Sequence, residues 1–173
     1  MVKRFKIVVF GEGAVGKTSL IERYTDATFQ TDYLPTIGVQ FCVKELALRD
    51  EEIAELLLWD MAGQDRFRFV RRQFFQGAVG GMAVFDITRM ASLQRLDQWF
   101  NDFYANTGHD TPCILLGNKI DLINIREVPT AAAMKLCEQK NLIQYFETSA
   151  LEGTEVNKAF ETIGNAVLDK YRK

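Results

Sequence analysis

The run Gly11-Glu12-Gly13-Ala14-Val15-Gly16-Lys17-Thr18 carries the densest chemistry in the chain. It satisfies the phosphate-loop pattern G-x-x-x-x-G-K-[ST] at every specified position, after a short apolar run and at the opening of a helix. Glycines let the backbone take positive φ and close around an anion. Successive N–H groups and the positive end of the following helix then point at phosphate oxygens. Lys17 adds a point charge for the β- and γ-phosphates, and the Thr18 hydroxyl is a natural ligand for phosphate-bound Mg²⁺. A Gly-rich turn that merely caps a helix is the bland alternative. The predicted ligand is a nucleoside triphosphate, and this loop leaves its base open.

Five further stretches bear on that ligand. Leu58-Trp59-Asp60 puts a carboxylate at the carboxyl end of an apolar run, where it can hold Mg²⁺ directly or through water. Met61-Ala62-Gly63-Gln64 follows, with a Gly N–H for a terminal phosphate and a Gln to orient a water for in-line attack. Gly117-Asn118-Lys119-Ile120-Asp121 comes after an apolar run ending at Leu116. A carboxylate such as Asp121 accepts two parallel hydrogen bonds from N1–H and the exocyclic amine of guanine. Adenine cannot offer that pair, so the stretch selects guanine. Thr148-Ser149-Ala150, with Leu151 next, is a small-residue turn whose N–H groups can approach the base. Thr36, between Pro35 and Gly38, offers a second hydroxyl for Mg²⁺ if the γ-phosphate draws its loop inward. Taken alone, Gln64 and Thr36 would read as ordinary loop residues.

These residues must be positioned by an alternation of elements. Apolar strands are expected at residues 5–10, 53–60, 79–85 and 113–116, with a last one marked by Tyr145 and Phe146. Residues 39–49 alternate and form a hairpin with 53–60 through Asp50-Glu51-Glu52. Helices are expected from Gly16 to about Asp26, from a cap at Ser92 through Phe103, at about 130–139, and over the stripe Val156, Phe160, Ile163 and Val167. Residues 61–76 read as an irregular segment leading into a short helix, with Arg66, Arg68, Arg71 and Arg72 on an exposed face. Strands separated by helices predict a doubly wound, mostly parallel sheet with ligands beyond its carboxyl edge.

Composition adds bounds. The chain has 173 residues, 47% hydrophobic and 25% charged, with a formal net charge of -2, so nucleic acid is not an expected partner. One domain over 1–173 is expected. The start Met1-Val2-Lys3-Arg4 shows no secretory pattern, and no apolar run suits a bilayer, so a cytoplasmic location is expected. Cys42, Cys113 and Cys137 read as reduced core residues, since His109 is the only His available to build a metal or nucleophile site with them.

Together the motifs resemble the Ras superfamily of small GTPases, in the right order over essentially the whole chain. The resemblance implies an α/β P-loop NTPase small G domain. Its sheet would have six strands, mostly parallel with one antiparallel, and helices on both faces. It implies GTP/GDP and Mg²⁺ as ligands, with Thr18, Thr36 and Asp60 around the metal. The remaining nucleotide contacts would come from residues 11–17, Ser19, Gly63, Asn118, Lys119, Asp121, Ser149, Ala150 and Leu151. Phe29 would pack on guanine, Tyr33 would cover the phosphates, and segments around Thr36 and Gln64 would be the two switches. Lys17, Thr36, Gly63 and Gln64 would serve hydrolysis, and Gly13 would leave room for it.

Within the superfamily the chain is most similar to Rab proteins, through Ile37-Gly38-Val39-Gln40-Phe41, Arg66-Phe67-Arg68 and Asp86-Ile87-Thr88. Phe41, Trp59 and Phe74 fall where Rab proteins carry an aromatic effector-binding triad. Gln40, Met61, Phe74-Phe75-Gln76 and Arg71-Arg72 depart from the usual Rab residues. The given sequence stops at Tyr171-Arg172-Lys173 without prenylatable cysteines, so peripheral membrane binding depends on a lipidated tail beyond it. The implied function is a monomeric GTP-hydrolysing switch with activating protein, exchange factor and effectors as partners. No Arg lies in residues 29–38, so slow intrinsic turnover and acceleration by a partner are expected. Two other readings stand beside it: a non-hydrolysing guanine-nucleotide module, and a nucleotide kinase, which the 118–121 loop disfavours.

Overall fold

The computed structural model describes residues 3–25 and 38–172. Six strands form one sheet: β1 (Lys3–Phe10), β2 (Val39–Ala47), β3 (Ile53–Met61), β4 (Gly80–Asp86), β5 (Cys113–Asn118) and β6 (Tyr145–Thr148). Their order is β2-β3-β1-β4-β5-β6; β2 runs antiparallel to β3 and the other neighbours are parallel. The helices are α1 (Lys17–Thr25), α2 (Arg71–Phe75), α3 (Met90–Gln94), α4 (Leu96–Thr107), α5 (Thr130–Gln139) and α6 (Val156–Tyr171). The mostly parallel sheet and its single antiparallel strand are as the sequence predicts.

The strand pattern explains why both faces are covered. Along β1, Ile7 and Val9 enter one core while Val8 and Phe10 enter the other. Met82 and Val84 of β4 alternate with Ala83 and Phe85 in the same way, as period-two side chains must. On the first face α6 lays down Val156, Phe160, Ile163 and Val167 at helical spacing; on the second α4 lays down Leu96, Trp99, Phe100 and Phe103. Phe10 lies at the centre of the second core, with ring centroids of Phe75 at 5.4 Å, Phe100 at 5.7 Å and Phe103 at 5.1 Å. Burying such a ring fully stabilises by about 1.5–3 kcal/mol. Phe10 immediately precedes Gly11, so this packing fixes where the phosphate loop begins.

Four expectations are corrected. Ser92 lies inside α3 and caps nothing. Its hydroxyl accepts from Asp86 N at 2.9 Å and donates to Arg89 O at 2.7 Å, tying the end of β4 to the next turn. The expected single helix is divided into α3 and α4, with Arg95 at the junction. β5 runs two residues past Leu116 because Gly117 and Asn118 continue pairing with Phe85 and Asp86 on one side and Glu147 and Thr148 on the other. Of the cysteines only Cys113 is buried; Cys42 and Cys137 are half-buried, and all three are free thiols.

Because the chain leaves β1 toward β3 on one side and β4 on the other, the sheet's topology switches at β1. The turns after β1, β3, β4, β5 and β6 all open at the carboxyl edge there, where such sheets gather ligands.

Candidate nucleotide site

The loop between β1 and α1 folds with Gly11 at φ 144°, Ala14 at φ 62° and Gly16 at φ 99°. Gly16 is required on two counts: its backbone is left-handed, and a Cβ there would lie 2.2 Å from Asn118 Nδ2. Lys17 is buried and curls back over the loop, its Nζ donating to Gly11 O at 3.0 Å and Glu12 O at 2.7 Å. Burial pushes its ammonium down to about 8. Asp60 and Glu12 oppose that fall, while the charges of Arg89 and Arg71 add to it. An anion in the loop would oppose that fall as well.

The Thr18 hydroxyl donates to the Asp60 carboxylate, which is buried at the end of β3. A hydroxyl and a carboxylate already in contact are hard oxygen donors of the kind Mg²⁺ takes, so these two residues fit the metal that phosphate binding brings. Gly63, just beyond, sits directly on the phosphate loop. A Cβ there would lie 2.3 Å from Glu12 C and from Gly13 N, so only glycine allows this approach. A Cβ on Gly13 would lie 4.0 Å from Gln64 Cγ, which leaves the space above Gly13 to Gln64. A cleft of about 620 Å³ opens here, lined by Gly13, Gly63, Gln64, Arg89 and Arg95 among others.

At the other end, Asn118 is buried. Its Nδ2 donates to Val15 O at 2.9 Å, and its Oδ1 accepts from Thr148 Oγ1 at 3.1 Å and Ala150 N at 3.3 Å. This one amide ties phosphate loop, β5 and the turn after β6 together. Lys119, in left-handed backbone at φ 71°, reaches Ala14 O at 2.7 Å and the Asp86 carboxylate at 2.9 Å. Asp121 Oδ1 accepts from Ser149 Oγ at 2.7 Å, which orients the carboxylate assigned to guanine. Arg23 of α1 donates to the carbonyls of Ala150, at 2.7 Å, and Leu151, holding that turn against α1.

The predicted residues from the phosphate loop, Thr18, Asp60, Gly63, Gln64, Asn118, Lys119, Asp121, Ser149 and Ala150 therefore meet at one edge. Ser19 is half-buried in the first turn of α1, and the Leu151 side chain is exposed. Phe29, Tyr33 and Thr36 lie outside the described residues. A model of the Ras family matches residues 6–169. The chain belongs to the Ras family.

It is a small GTPase, a switch that binds guanine nucleotide and hydrolyses GTP, and its relatives are Rab proteins. It is 39% identical over 168 residues to Ras-related protein Rab7 of Drosophila melanogaster, covering 95% of this chain and 80% of the relative. Ras-related protein RABA4d of Arabidopsis thaliana is 40% identical over 159 residues, 92% of this chain and 71% of the relative. Ras-related protein Rab11A of Lotus japonicus is 39% identical over 159 residues, 92% and 70%.

This Ras-family site also uses residues that no motif pointed to. Glu12 is held from behind by α4, accepting from Trp99 Nε1 at 3.3 Å and pairing with Arg95 at 3.1 Å. Trp99 is a core residue, as expected, but one with a polar errand. Arg71 is buried, not on the exposed face expected of it. Its guanidinium lies 3.6 Å from the Trp99 ring centroid and pairs with Asp102 at 3.3 Å. Phe74 is buried beneath Trp59, at 6.3 Å between centroids, so of the aromatic triad Phe41 alone is broadly exposed, at 67%.

Proposed function

We propose that residues 11–18 grip the phosphates, that Thr18 and Asp60 hold Mg²⁺ together with Thr36, and that Asp121 reads guanine. Gly63 and Gln64 act on the terminal phosphate, Gly63 through its N–H and Gln64 by orienting the attacking water. Mg²⁺ would supply charge neutralisation between the phosphate oxygens. The observation that carries the reading is the seating of Gly63 on Glu12 and Gly13, because a segment pressed against the phosphate loop responds to what the loop holds. The response is then read by partners on the two switches and on Phe41, in a Rab-like role in membrane traffic.

With no Arg among residues 29–38, intrinsic hydrolysis is slow and a partner that donates an arginine speeds it by roughly 10³–10⁵-fold. Single-turnover hydrolysis of Mg²⁺·GTP tests this: Gln64→Leu should lose most of the rate while keeping the nucleotide. An unaltered rate would remove Gln64 from the mechanism. For the base, Asp121→Asn should move preference from guanine toward xanthine nucleotide, whose 2-oxo group wants a donor. An unshifted preference would refute the role of Asp121.

A further inference from the structure

The carbonyls of the phosphate loop that face away from the ligand are taken up in succession. Arg89 Nη2 donates to Gly13 O at 3.2 Å, Lys119 Nζ to Ala14 O at 2.7 Å and Asn118 Nδ2 to Val15 O at 2.9 Å. In a trans peptide the C=O and the following N–H point opposite ways, so a donor on the carbonyl side aims the N–H at the ligand side. Lys119 and Asn118 belong to the guanine-reading stretch. Arg89 belongs to no such stretch; it stands in the turn between β4 and α3.

We propose that Arg89 is a positioning residue for GTP hydrolysis, which through the Gly13 carbonyl fixes and polarises the peptide that presents the Ala14 N–H beside Gln64. The inference rests on the reading of residues 11–18 as the phosphate grip.

Three features support it. The Arg89 backbone is itself pinned, its N–H donating to Asp86 O at 3.0 Å and its carbonyl accepting from Ser92 N at 3.1 Å and Ser92 Oγ at 2.7 Å. The guanidinium therefore starts from a fixed point. A donor that carries a full charge polarises a peptide more than a neutral one does, and charge-assisted hydrogen bonds are roughly twice as strong. The peptide concerned is the one where Gln64 crosses the loop, since the space above Gly13 is bounded by Gln64 Cγ. The bond engages Arg89 on the carbonyl side of that peptide, opposite the Ala14 N–H, so it acts through the peptide.

Arg89→Ala, Arg89→Gln and Arg89→Lys, each purified with GDP bound, provide the test. Three readouts apply: the single-turnover rate with Mg²⁺·GTP, GDP affinity, and the ³¹P chemical shift of the β-phosphate in bound GDP. Arg89→Ala should slow hydrolysis about tenfold while GDP affinity changes less than about threefold, the loss expected for one charge-assisted hydrogen bond. Its β-phosphate resonance should move. Arg89→Lys should restore rate and resonance, and Arg89→Gln should fall between. A wild-type rate and unmoved resonance in Arg89→Ala would overturn the proposal. So would a parallel fall in rate and affinity that Arg89→Lys leaves unrescued, which marks a merely structural contact. If the unaltered protein left GTP intact, the hydrolysis reading would fail by itself, and the ³¹P comparison would still decide whether Arg89 shapes the grip.

Discussion

Residues 11–18 and residues 63–75 meet across one site but are held by opposite means. In the phosphate loop the carbonyls of Gly11, Glu12, Gly13, Ala14 and Val15 all accept from side chains, of Lys17, Arg89, Lys119 and Asn118. The loop is thus tied to α1, to the turn after β4 and to the end of β5. Residues 63–75 hold themselves by short-range turns such as Phe67 N to Gln64 O at 3.0 Å. Asp65, Arg66, Arg68 and Phe69 are exposed, Phe67 and Val70 rest half-buried against the second core, and beyond Gly63 full burial resumes only at Arg71, Phe74 and Phe75. A segment with few buried contacts opens at lower cost than one tied on every side. A switch needs that inequality: a fixed reference that keeps the nucleotide and a looser reporter pressed against it.

The largest effect is expected where the two halves touch. A methyl group on residue 63 has no room against Glu12 and Gly13, so Gly63→Ala must lift residues 63–75 off the loop. GTP hydrolysis should fall about 10²-fold or more, as when one preorganised donor is withdrawn, while GDP stays bound. A wild-type single-turnover rate would mean that the contact is not used when nucleotide is present. Within the fixed half, Gly16→Ala forces a Cβ to 2.2 Å from Asn118 Nδ2 on left-handed backbone at φ 99°. Strain and a broken hydrogen bond from the Asn118 amide together should cost about 2–4 kcal/mol in denaturant unfolding. Nucleotide affinity should fall with it, because the same amide joins the phosphate and base ends. A loss below about 0.5 kcal/mol would show that the loop is less tightly tied than the comparison requires.

How much of this was legible in the sequence follows from the range of each contact. Gly11 to Thr18 and Asn118 to Asp121 are local patterns with obligatory spacing, and each stands beside a strand that period-two burial makes visible. The mostly parallel sheet with its one antiparallel strand followed from the same alternation of strands and helices and from the hairpin, whereas the strand order is visible only in the structure. Arg89 meets Gly13 across 76 positions and Trp99 meets Glu12 across 87. Such pairs depend on how the turn after β4 and the face of α4 lie against the loop, and no spacing rule reports that. Arg71 differs from expectation for a related reason: one of four arginines in an irregular stretch reads as solvated. Only the approach of α2 to α4 supplies the indole and carboxylate that let its charge be buried.

A smaller effect is expected at the base end, which belongs with the fixed half. Glu147 of β6 accepts from Arg126 Nη1 at 2.7 Å and Nη2 at 2.8 Å, from Thr130 at 2.9 Å and from Tyr145 at 3.0 Å. The Arg126 hydrogen bonds hold its carboxyl below the usual value. A depressed carboxyl contributes stability above its unfolded pKa and loses it as pH falls through the folded one. Stability should therefore decline on acidification below the ordinary glutamate range. The Glu147→Gln share of that decline should be no more than about 1 kcal/mol, since the pair is partly solvated. Unfolding curves for the two proteins that stay parallel from neutral to acidic pH would remove the ion pair from the account.

The smallest effect separates the halves most cleanly. Phe69 is 81% exposed in the middle of the reporter segment, an apolar ring with almost nothing to lose on unfolding. Phe69→Ser should change stability by less than about 0.5 kcal/mol, measured as the unfolding midpoint at constant slope. Had the ring been placed for the fold, burial would have hidden it as it hides Phe74 and Phe75 a few residues on. A cost above about 1 kcal/mol would mean that the ring packs in solution and that residues 63–75 are anchored along their whole length. The distinction between a fixed grip and a looser reporter would then have to be drawn from nucleotide-dependent contacts alone.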